Sequence, residues 1–132
     1  WEPPAAADAI LLDAPCSATG IYRRHPDVLH RARPRVTAEL AALQQTMLAR
    51  AARWLKPGGT LVFSTCSLEP EEGEAHLERA AGLLLDPVRP DELPPGIVPD
   101  PRGHLRVLPT MLAEQGALDG FFVARFRRSE SG

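Results

Sequence analysis

The sequence has 132 residues, of which 44% are hydrophobic and 24% are charged, a composition typical of one globular domain or part of one. The formal net charge of -2 gives no global sign of nucleic-acid binding, so any such function must depend on local patches. No apolar run approaches the roughly 18 residues that a membrane-spanning helix needs. Two cysteines are too few for a disulfide framework, and we expect a reducing, cytoplasmic setting.

The first predicted element is a short strand from Ala9 to Asp13, a continuous apolar run typical of parallel strands covered on both faces. A polar loop rich in arginine follows, from Ser17 to about Val36. We then expect a helix with Thr37 as its N-cap and the "KPGG" stretch after its end. The apolar residues that recur at helical spacing are Leu40, Leu43, Met47, Ala51, Trp54 and Leu55.

The second half of the chain begins with a strand predicted from Thr60 to Thr65, which is rich in apolar and β-branched residues. The proline and glutamates that follow predict a second helix, from Pro70 to about Leu84. Prolines are frequent from Asp86 to Gly103, and this segment is expected to be irregular. Two closing strands, from Leu105 to Leu108 and from Phe121 to Arg127, are expected to form an antiparallel hairpin.

The order strand, helix, strand, helix predicts an α/β fold with a parallel sheet. A crossover through the first helix would place the first two strands side by side, running in the same direction. Their carboxyl ends would then open on one edge, where α/β sheets bind ligands. Asp13, Cys16 and Cys66 lie at or just past these ends, so we predict that they share one crevice.

Two thiols and a carboxylate in one crevice suggest nucleophilic chemistry. A thiolate is a good nucleophile, and a second thiol can serve as an acid, a base or a partner of the leaving group. A carboxylate can accept a hydrogen bond from a substrate amine or from a protonated ring nitrogen. Spacing alone leaves two alternatives open. Free cysteines are often small core residues, and two cysteines can form a disulfide, although less commonly in the cytosol.

The segment from Arg23 to Arg35 holds five arginines and two histidines against one acid. It is interpreted as a loop that contacts phosphates beside the active edge, with a solvated surface loop as the alternative. Elsewhere, His76 and His104 have no partners at metal-ligand spacing, so no metal site is predicted. Asp119 and Gly120 are expected to shape the closing hairpin.

Four stretches of the sequence resemble one family in the order that the family has them. They are "DAPCSATG" from Asp13, "RRHPD" from Arg23, "LKPGGTLVFSTCSLEPEE" from Leu55 and "DGFFVA" from Asp119. The chain resembles the RNA cytosine-5-methyltransferases of the Fmu and NOL1/NOP2/Sun type over nearly its whole length, apart from the proline-rich crossing. The paired proline-cysteine and threonine-cysteine motifs are the distinguishing feature of that family.

The resemblance implies an enzyme that methylates carbon 5 of cytosine in RNA with S-adenosylmethionine as methyl donor. It implies that Cys66, in the threonine-cysteine motif, is the nucleophile that adds to carbon 6 of an unpaired cytosine, and that Cys16 assists its release. It also implies that Asp13 contacts the cofactor and the cytosine edge, and that Pro15 stiffens the turn beside the cofactor. The spacing of the two motifs does not identify the attacking thiol. DNA cytosine methyltransferases use their proline-cysteine thiol as the nucleophile, so the assignment to Cys66 depends on the resemblance to the RNA family.

The resemblance also bears on the arginine-rich loop. Arg23, Arg24 and His25 directly follow the proline-cysteine motif and are expected to contact the RNA substrate, whereas Arg31 to Arg35 stay unassigned. Ribosomal RNA is favoured over transfer RNA as the substrate. The target base cannot react inside a stacked helix, so it must be unpaired or flipped into the pocket.

The implied fold is the Rossmann-like class I methyltransferase fold, of which residues 1–132 would be the C-terminal half. The glycine-rich cofactor loop of that class and the acid after its second strand are not in this sequence. We therefore expect a partial catalytic domain that binds the cofactor weakly and is inactive alone, with an exposed strand edge open to self-association.

Two other functions are weighed against the methyltransferase. The first alternative is a non-catalytic RNA-binding or assembly module that retains the motifs. A DNA cytosine methyltransferase is less favoured, because the glutamine after its proline-cysteine pair and its glutamate-asparagine motif are missing.

Overall fold

The computed structural model describes residues 1–130, which form one mixed five-stranded sheet with a long helix packed against it. The strands are β1 (Ala7–Asp13), β2 (Leu55–Thr65), β3 (Leu83–Leu85), β4 (Leu105–Val107) and β5 (Phe121–Arg128). The helices are α1 (Val28–Arg31) and α2 (Pro34–Trp54). The strand order is β1-β2-β5-β3, and β4 also pairs with β5.

The predicted parallel pair of strands is confirmed. β1 and β2 run parallel as direct neighbours, with Ile10 opposite Leu61 and Asp13 opposite Ser64, and α2 is the crossover between them. β5 is antiparallel to β2, and β4 pairs antiparallel with β5, as expected of the closing hairpin. The α/β class is therefore confirmed, and the carboxyl ends of β1 and β2 meet at one edge of the sheet.

The helix predicted from Pro70 to about Leu84 is wrong. This segment forms two short 3-10 turns, Pro70–Glu72 and Glu74–His76, followed by β3. Gly73, between the turns, has φ -142° and ψ -96°, far from helical values. A Cβ atom there would lie 2.7 Å from Nη2 of Arg106 and 2.8 Å from the ring of Phe122. Close packing against β4 and β5 therefore overrides the local helical signal.

The long helix α2 differs from its prediction at both ends. It begins at Pro34, which occupies a favourable first-turn position, and Thr37 lies inside it. It ends at Trp54, and β2 starts directly at Leu55, so "KPGG" belongs to the strand. The prediction of the apolar face of this helix is partly wrong as well, because Leu43 is 46% exposed. The buried residues of α2 are Thr37, Gln44, Leu48, Ala51 and Ala52.

The core lies between α2 and one face of the sheet. Its largest fully buried side chains include Phe63, Phe122, Phe126, Leu48, Leu55 and Leu61. The prediction that β1 is covered on both faces is wrong: Ile10 and Leu12 pack against the core, whereas Leu11 is 73% exposed. β1 lies at the edge of the sheet, and successive side chains point to opposite faces. No helix formed by residues 1–130 is long and apolar enough to cross a membrane.

Candidate active site

The two thiols meet at the carboxyl edge of β1 and β2. Cys66 directly follows β2 and Cys16 lies three residues after β1, and their Sγ atoms are 3.5 Å apart. Backbone hydrogen bonds tie the two loops together: Ala14 N donates to Ser64 O and Gly20 N donates to Cys66 O, each at 2.9 Å. Both thiols are free and partly exposed. The topology therefore brings together two cysteines that are 50 positions apart in the sequence.

The two thiols differ in acidity because they share a hydrogen bond. The bond from Cys16 lowers the pKa of Cys66 to about 7, below the value of about 8.5 for a free thiol. The same bond, reinforced by burial, raises the pKa of Cys16. At Cys66, burial and the negative charges of Asp13 and Glu72 oppose the lowering. The opposite directions of the two pKa shifts make Cys66 the thiol that ionises first, with Cys16 as its hydrogen-bond donor.

Asp13 and Pro15 lie on the same edge as the thiols, and both are exposed. The carboxylate of Asp13 accepts a hydrogen bond of 3.2 Å from Oγ of Ser64, its partner across the β1–β2 pair. Its negative charge acts on the Cys66 thiol, whose pKa it raises. Pro15 presents its carbonyl to Nε2 of Gln44 on α2 at 2.8 Å, which fixes the turn before Cys16.

Glu72 is a further residue of the candidate site, and no sequence pattern distinguishes it. Its side chain is completely buried beneath the two thiol loops, where it accepts hydrogen bonds from the backbone N of Ser17 at 2.9 Å and from Oγ of Ser67 at 2.7 Å. Nε2 of Gln44 donates to the same carboxylate at 3.0 Å. In the sequence, Glu72 was indistinguishable from the neighbouring glutamates, which indicated only the acidic first turn of a helix.

Two glycines bring the last strand against the site. A Cβ atom on Gly20 would lie 2.1 Å from the carbonyl oxygen of Gly120 and 2.8 Å from that of Cys66. Gly120 N donates to Gly20 O at 2.7 Å. The segment that leads into β5 therefore lies in direct backbone contact with the loop that follows Cys16.

The arginines after the proline-cysteine motif are anchored to that same segment. Nε of Arg24 donates to both carboxylate oxygens of Asp119 at 3.1 Å, which lowers the pKa of Asp119. Arg23 donates to the carbonyl of Gly116 at 3.2 Å, and His25 is exposed. The side chains of Arg23 and Arg24 remain 41% and 53% exposed.

The rest of the basic segment is also largely paired with acids. Arg31 pairs with Asp27 and Arg35 pairs with Glu39, both at 2.9 Å. Within the described part of the chain, Arg33 is the one arginine of the segment without an ion pair. The segment is therefore less basic as a surface than its sequence suggests. Among residues 1–130, no three His, Cys, Asp or Glu side chains are grouped to hold a metal ion.

The fold is similar to that of a Sun-family protein of known structure. A solved structure of NSun6 from Pyrococcus horikoshii with SFG superposes on 96% of this chain and 31% of its own, with a TM-score of 0.75 and 28% identity. A methyltransferase homologue from the same organism superposes on 94% of this chain and 40% of its own, with a TM-score of 0.61 and 31% identity.

The family model described as 16S rRNA methyltransferase RsmB/F matches residues 2–127, and the chain belongs to this family. It is 42% identical to ribosomal RNA small subunit methyltransferase F of Salmonella typhi over 135 aligned positions, which cover 97% of this chain. It is 40% identical to ribosomal RNA small subunit methyltransferase B of Thermus thermophilus over 128 residues. The chain spans only 27% and 31% of the lengths of these two relatives.

Proposed function

We propose that the natural protein containing this chain is an S-adenosylmethionine-dependent methyltransferase acting on carbon 5 of cytosine in RNA, and that this chain carries its nucleophile half. The observation that carries the proposal is the pair of sulfurs 3.5 Å apart at the carboxyl ends of two adjacent parallel strands. Cytosine is a poor nucleophile at carbon 5, so a protein that methylates it there needs a group that activates the ring covalently.

Cys66 is proposed as that nucleophile. Its pKa of about 7 supplies a thiolate near neutral pH, and the residue is partly exposed at the carboxyl edge of the sheet. Addition of the thiolate to carbon 6 forms a carbon–sulfur bond and moves the ring electrons to carbon 5, which becomes nucleophilic. S-adenosylmethionine, when bound, supplies the methyl group that carbon 5 receives.

Cys16 is proposed to assist the release of Cys66. After methylation, the proton on carbon 5 passes to solvent water, its electron pair restores the double bond between carbons 5 and 6, and the carbon–sulfur bond to Cys66 breaks. The departing sulfur takes the electron pair as a thiolate. In the free protein, the hydrogen bond with Cys66 and burial raise the pKa of Cys16, so Cys16 enters the reaction as a protonated thiol. Its position 3.5 Å from the Cys66 sulfur allows it to donate a hydrogen bond to the departing sulfur.

Asp13 is proposed to orient both the base and the methyl donor. Its exposed carboxylate accepts one hydrogen bond, from Ser64, and so has acceptor positions left for the amine or protonated ring nitrogen of cytosine. S-adenosylmethionine carries an amine and a sulfonium, and an exposed carboxylate on this edge suits both cationic groups. Asp13 and Pro15 would thus form one wall of the cofactor site. SFG, an analogue of S-adenosylmethionine, is named with the NSun6 structure.

For the RNA itself, we propose contacts from Arg23, Arg24 and His25, with ribosomal RNA favoured over transfer RNA. The names of the Salmonella typhi and Thermus thermophilus relatives support ribosomal RNA. The partly exposed guanidinium groups lie beside the pocket through their bonds to the segment before β5. We place this activity in the cytoplasm, where thiols stay reduced.

Residues 1–132 are proposed to be a partial catalytic domain. The exposed edge and outer face of β1 are the surfaces on which the rest of the sheet and the cofactor site would be completed. The isolated chain is therefore expected to bind S-adenosylmethionine weakly and to be inactive, and its open edge can also pair with a second copy.

Covalent trapping tests the proposal. The natural protein is incubated with methyl donor and RNA in which 5-fluorocytosine replaces cytosine, because fluorine at carbon 5 cannot leave as a proton does. We expect an adduct that survives denaturation and maps to Cys66 by mass spectrometry, and that is lost in Cys66→Ala but kept in Cys16→Ala. Absence of any adduct in the wild-type protein, with RNA still bound, would instead indicate a non-catalytic RNA-binding module.

A further inference from the structure

The carboxylate of Glu72 joins the two thiol loops from below. It has four hydrogen-bond donors: the backbone N and Oγ of Ser17, Oγ of Ser67 and Nε2 of Gln44. Ser17 directly follows Cys16, and Ser67 directly follows Cys66. One buried side chain thus holds the residue after each thiol, although the two loops are 50 positions apart in the sequence.

A second contact fixes the other side of Cys16. The same amide nitrogen of Gln44 that donates to Glu72 also donates to the carbonyl of Pro15 at 2.8 Å. Oε1 of Gln44 is 2.9 Å from Nε2 of His76, which keeps the amide group turned with its nitrogen towards the loops. The backbone on both sides of Cys16 is therefore fixed through Glu72 and Gln44.

The position of Glu72 is costly unless it is compensated. Burying a carboxylate is unfavourable without partners, and among residues 1–130 no Lys or Arg forms an ion pair with it. The four donors replace the water that it gives up. Its charge also acts on both sulfurs, where it raises the pKa of Cys16 and opposes the lowering of the pKa of Cys66. An apolar residue would fill the space without the desolvation cost, so a role in core packing alone does not account for a glutamate here.

We propose that Glu72 is a positioning residue for the methyl-transfer site: its carboxylate sets the separation of the Cys16 and Cys66 loops so that both sulfurs face one base. This inference depends on the proposed function. Because Glu72 is completely buried, it acts through the loops and does not touch the substrate. Small displacements of reacting groups slow reactions steeply, and a shift of about 1 Å can cost about a hundredfold in rate.

The central test is Glu72→Gln in the natural protein, with Glu71→Gln as the matched control. The amide of glutamine has nearly the same shape as the carboxylate. Its NH₂ group, however, is a hydrogen-bond donor where the carboxylate oxygen was an acceptor, so it faces other donors and loses their hydrogen bonds. Active sites are counted by adduct formation with 5-fluorocytosine RNA, and the rate is expressed per active site. We expect kcat to fall about a hundredfold with the KM for S-adenosylmethionine unchanged, whereas the exposed Glu71→Gln variant keeps the wild-type rate.

A purely structural role for Glu72 would reduce the amount of folded protein but leave the rate per active site unchanged, and that result would overturn the proposal. A failure of the proposed function is distinguishable, because the wild-type protein would then form no adduct at all.

If Glu72→Gln does not fold, Ser67→Ala removes one donor to the carboxylate and leaves the buried charge in place. We expect this variant to lose rate per active site by a smaller factor, with its KM for S-adenosylmethionine unchanged. A wild-type rate per active site in Ser67→Ala would overturn the proposal by itself.

Discussion

Different interactions stabilise the surroundings of the Cys16–Cys66 pair and the arginine segment that follows Cys16 in the sequence. Around the thiols, buried hydrogen-bond donors and acceptors from distant segments are paired, as in the bonds from Ser17, Gln44 and Ser67 to Glu72. In the arginine segment, from Arg23 to Arg35, the ion pairs join mostly exposed side chains. A buried polar network tolerates few alternative arrangements, whereas an exposed ion pair contributes only about 0.2–1 kcal/mol. The first suits chemistry that needs fixed geometry, and the second suits contacts that can be exchanged for RNA phosphates.

The largest expected effect is the loss of turnover in Cys16→Ala. It removes the thiol that donates to Cys66 while leaving the proposed nucleophile in place. We expect the adduct between Cys66 and ordinary RNA to persist, and turnover to fall about a hundredfold, the lower range for loss of acid–base assistance. A denaturing gel detects the adduct, and methyl incorporation gives the turnover.

Cys16→Ser is the matched control, because its hydroxyl can still donate to the departing sulfur. It should retain more turnover than the alanine variant. Wild-type turnover in Cys16→Ala, without accumulated adduct, would remove Cys16 from the proposed release step.

A smaller effect is expected from Arg24→Ala in the arginine segment. If an RNA phosphate replaces Asp119 as the partner of Arg24, the affinity of the variant for RNA should fall several-fold. The slope of log K against log[salt] should become shallower by about 1, as expected for the loss of one phosphate contact. Filter binding or fluorescence anisotropy over a salt series gives this slope.

Arg89→Ala is the control for Arg24. Arg89 is also an exposed arginine paired with an acid, Asp91, but it lies in the proline-rich segment from Asp86 to Gly103, which has no proposed RNA contact. Its variant should leave both affinity and slope unchanged. An unchanged slope in Arg24→Ala would instead make Arg24 an anchor for Asp119 without an RNA contact.

The smallest effect is a loss of stability in mild acid. Burial lowers the pKa of both His76 and His104, so the unfolded chain binds protons near pH 6.5 that the folded chain does not. The free energy of unfolding should therefore fall as the pH drops from 6.5 to 5. The acids whose pKa is lowered, such as Glu74, add their own loss only below about pH 4.5. Urea unfolding at the two pH values checks this, and equal midpoints would contradict it.

Much of the fold could be predicted because its signals are local. The apolar run of β1, the helical spacing of α2 and the β-branched residues of β2 each fix one element, and the connection between them places both thiols at one edge. The short strand β3 and the two 3-10 turns before it could not be predicted in this way, since contacts of Gly73 with Arg106 and Phe122 decide the conformation there.

The support of the site was hidden for a related reason. Gln44 is a polar residue at a buried position of α2, and Glu72 resembles the exposed acids next to it, so neither stood out. Asp119 pairs with Arg24 from 95 positions away. Hydrogen bonds of this kind depend on the folded arrangement of distant segments, which periodicity and local composition do not report.

Cys16 and Cys66 form one hydrogen-bonded pair, in which Cys66 is proposed to carry the thiolate. Alkylation of Cys66 by iodoacetamide, followed by mass spectrometry across a pH series, measures this directly. The structure predicts a midpoint of about 7 in the wild-type protein and a higher midpoint in Cys16→Ala, where the hydrogen bond is gone and burial and the charges of Asp13 and Glu72 remain. The same midpoint in both proteins, or a wild-type midpoint near the free-thiol value of about 8.5, would contradict it.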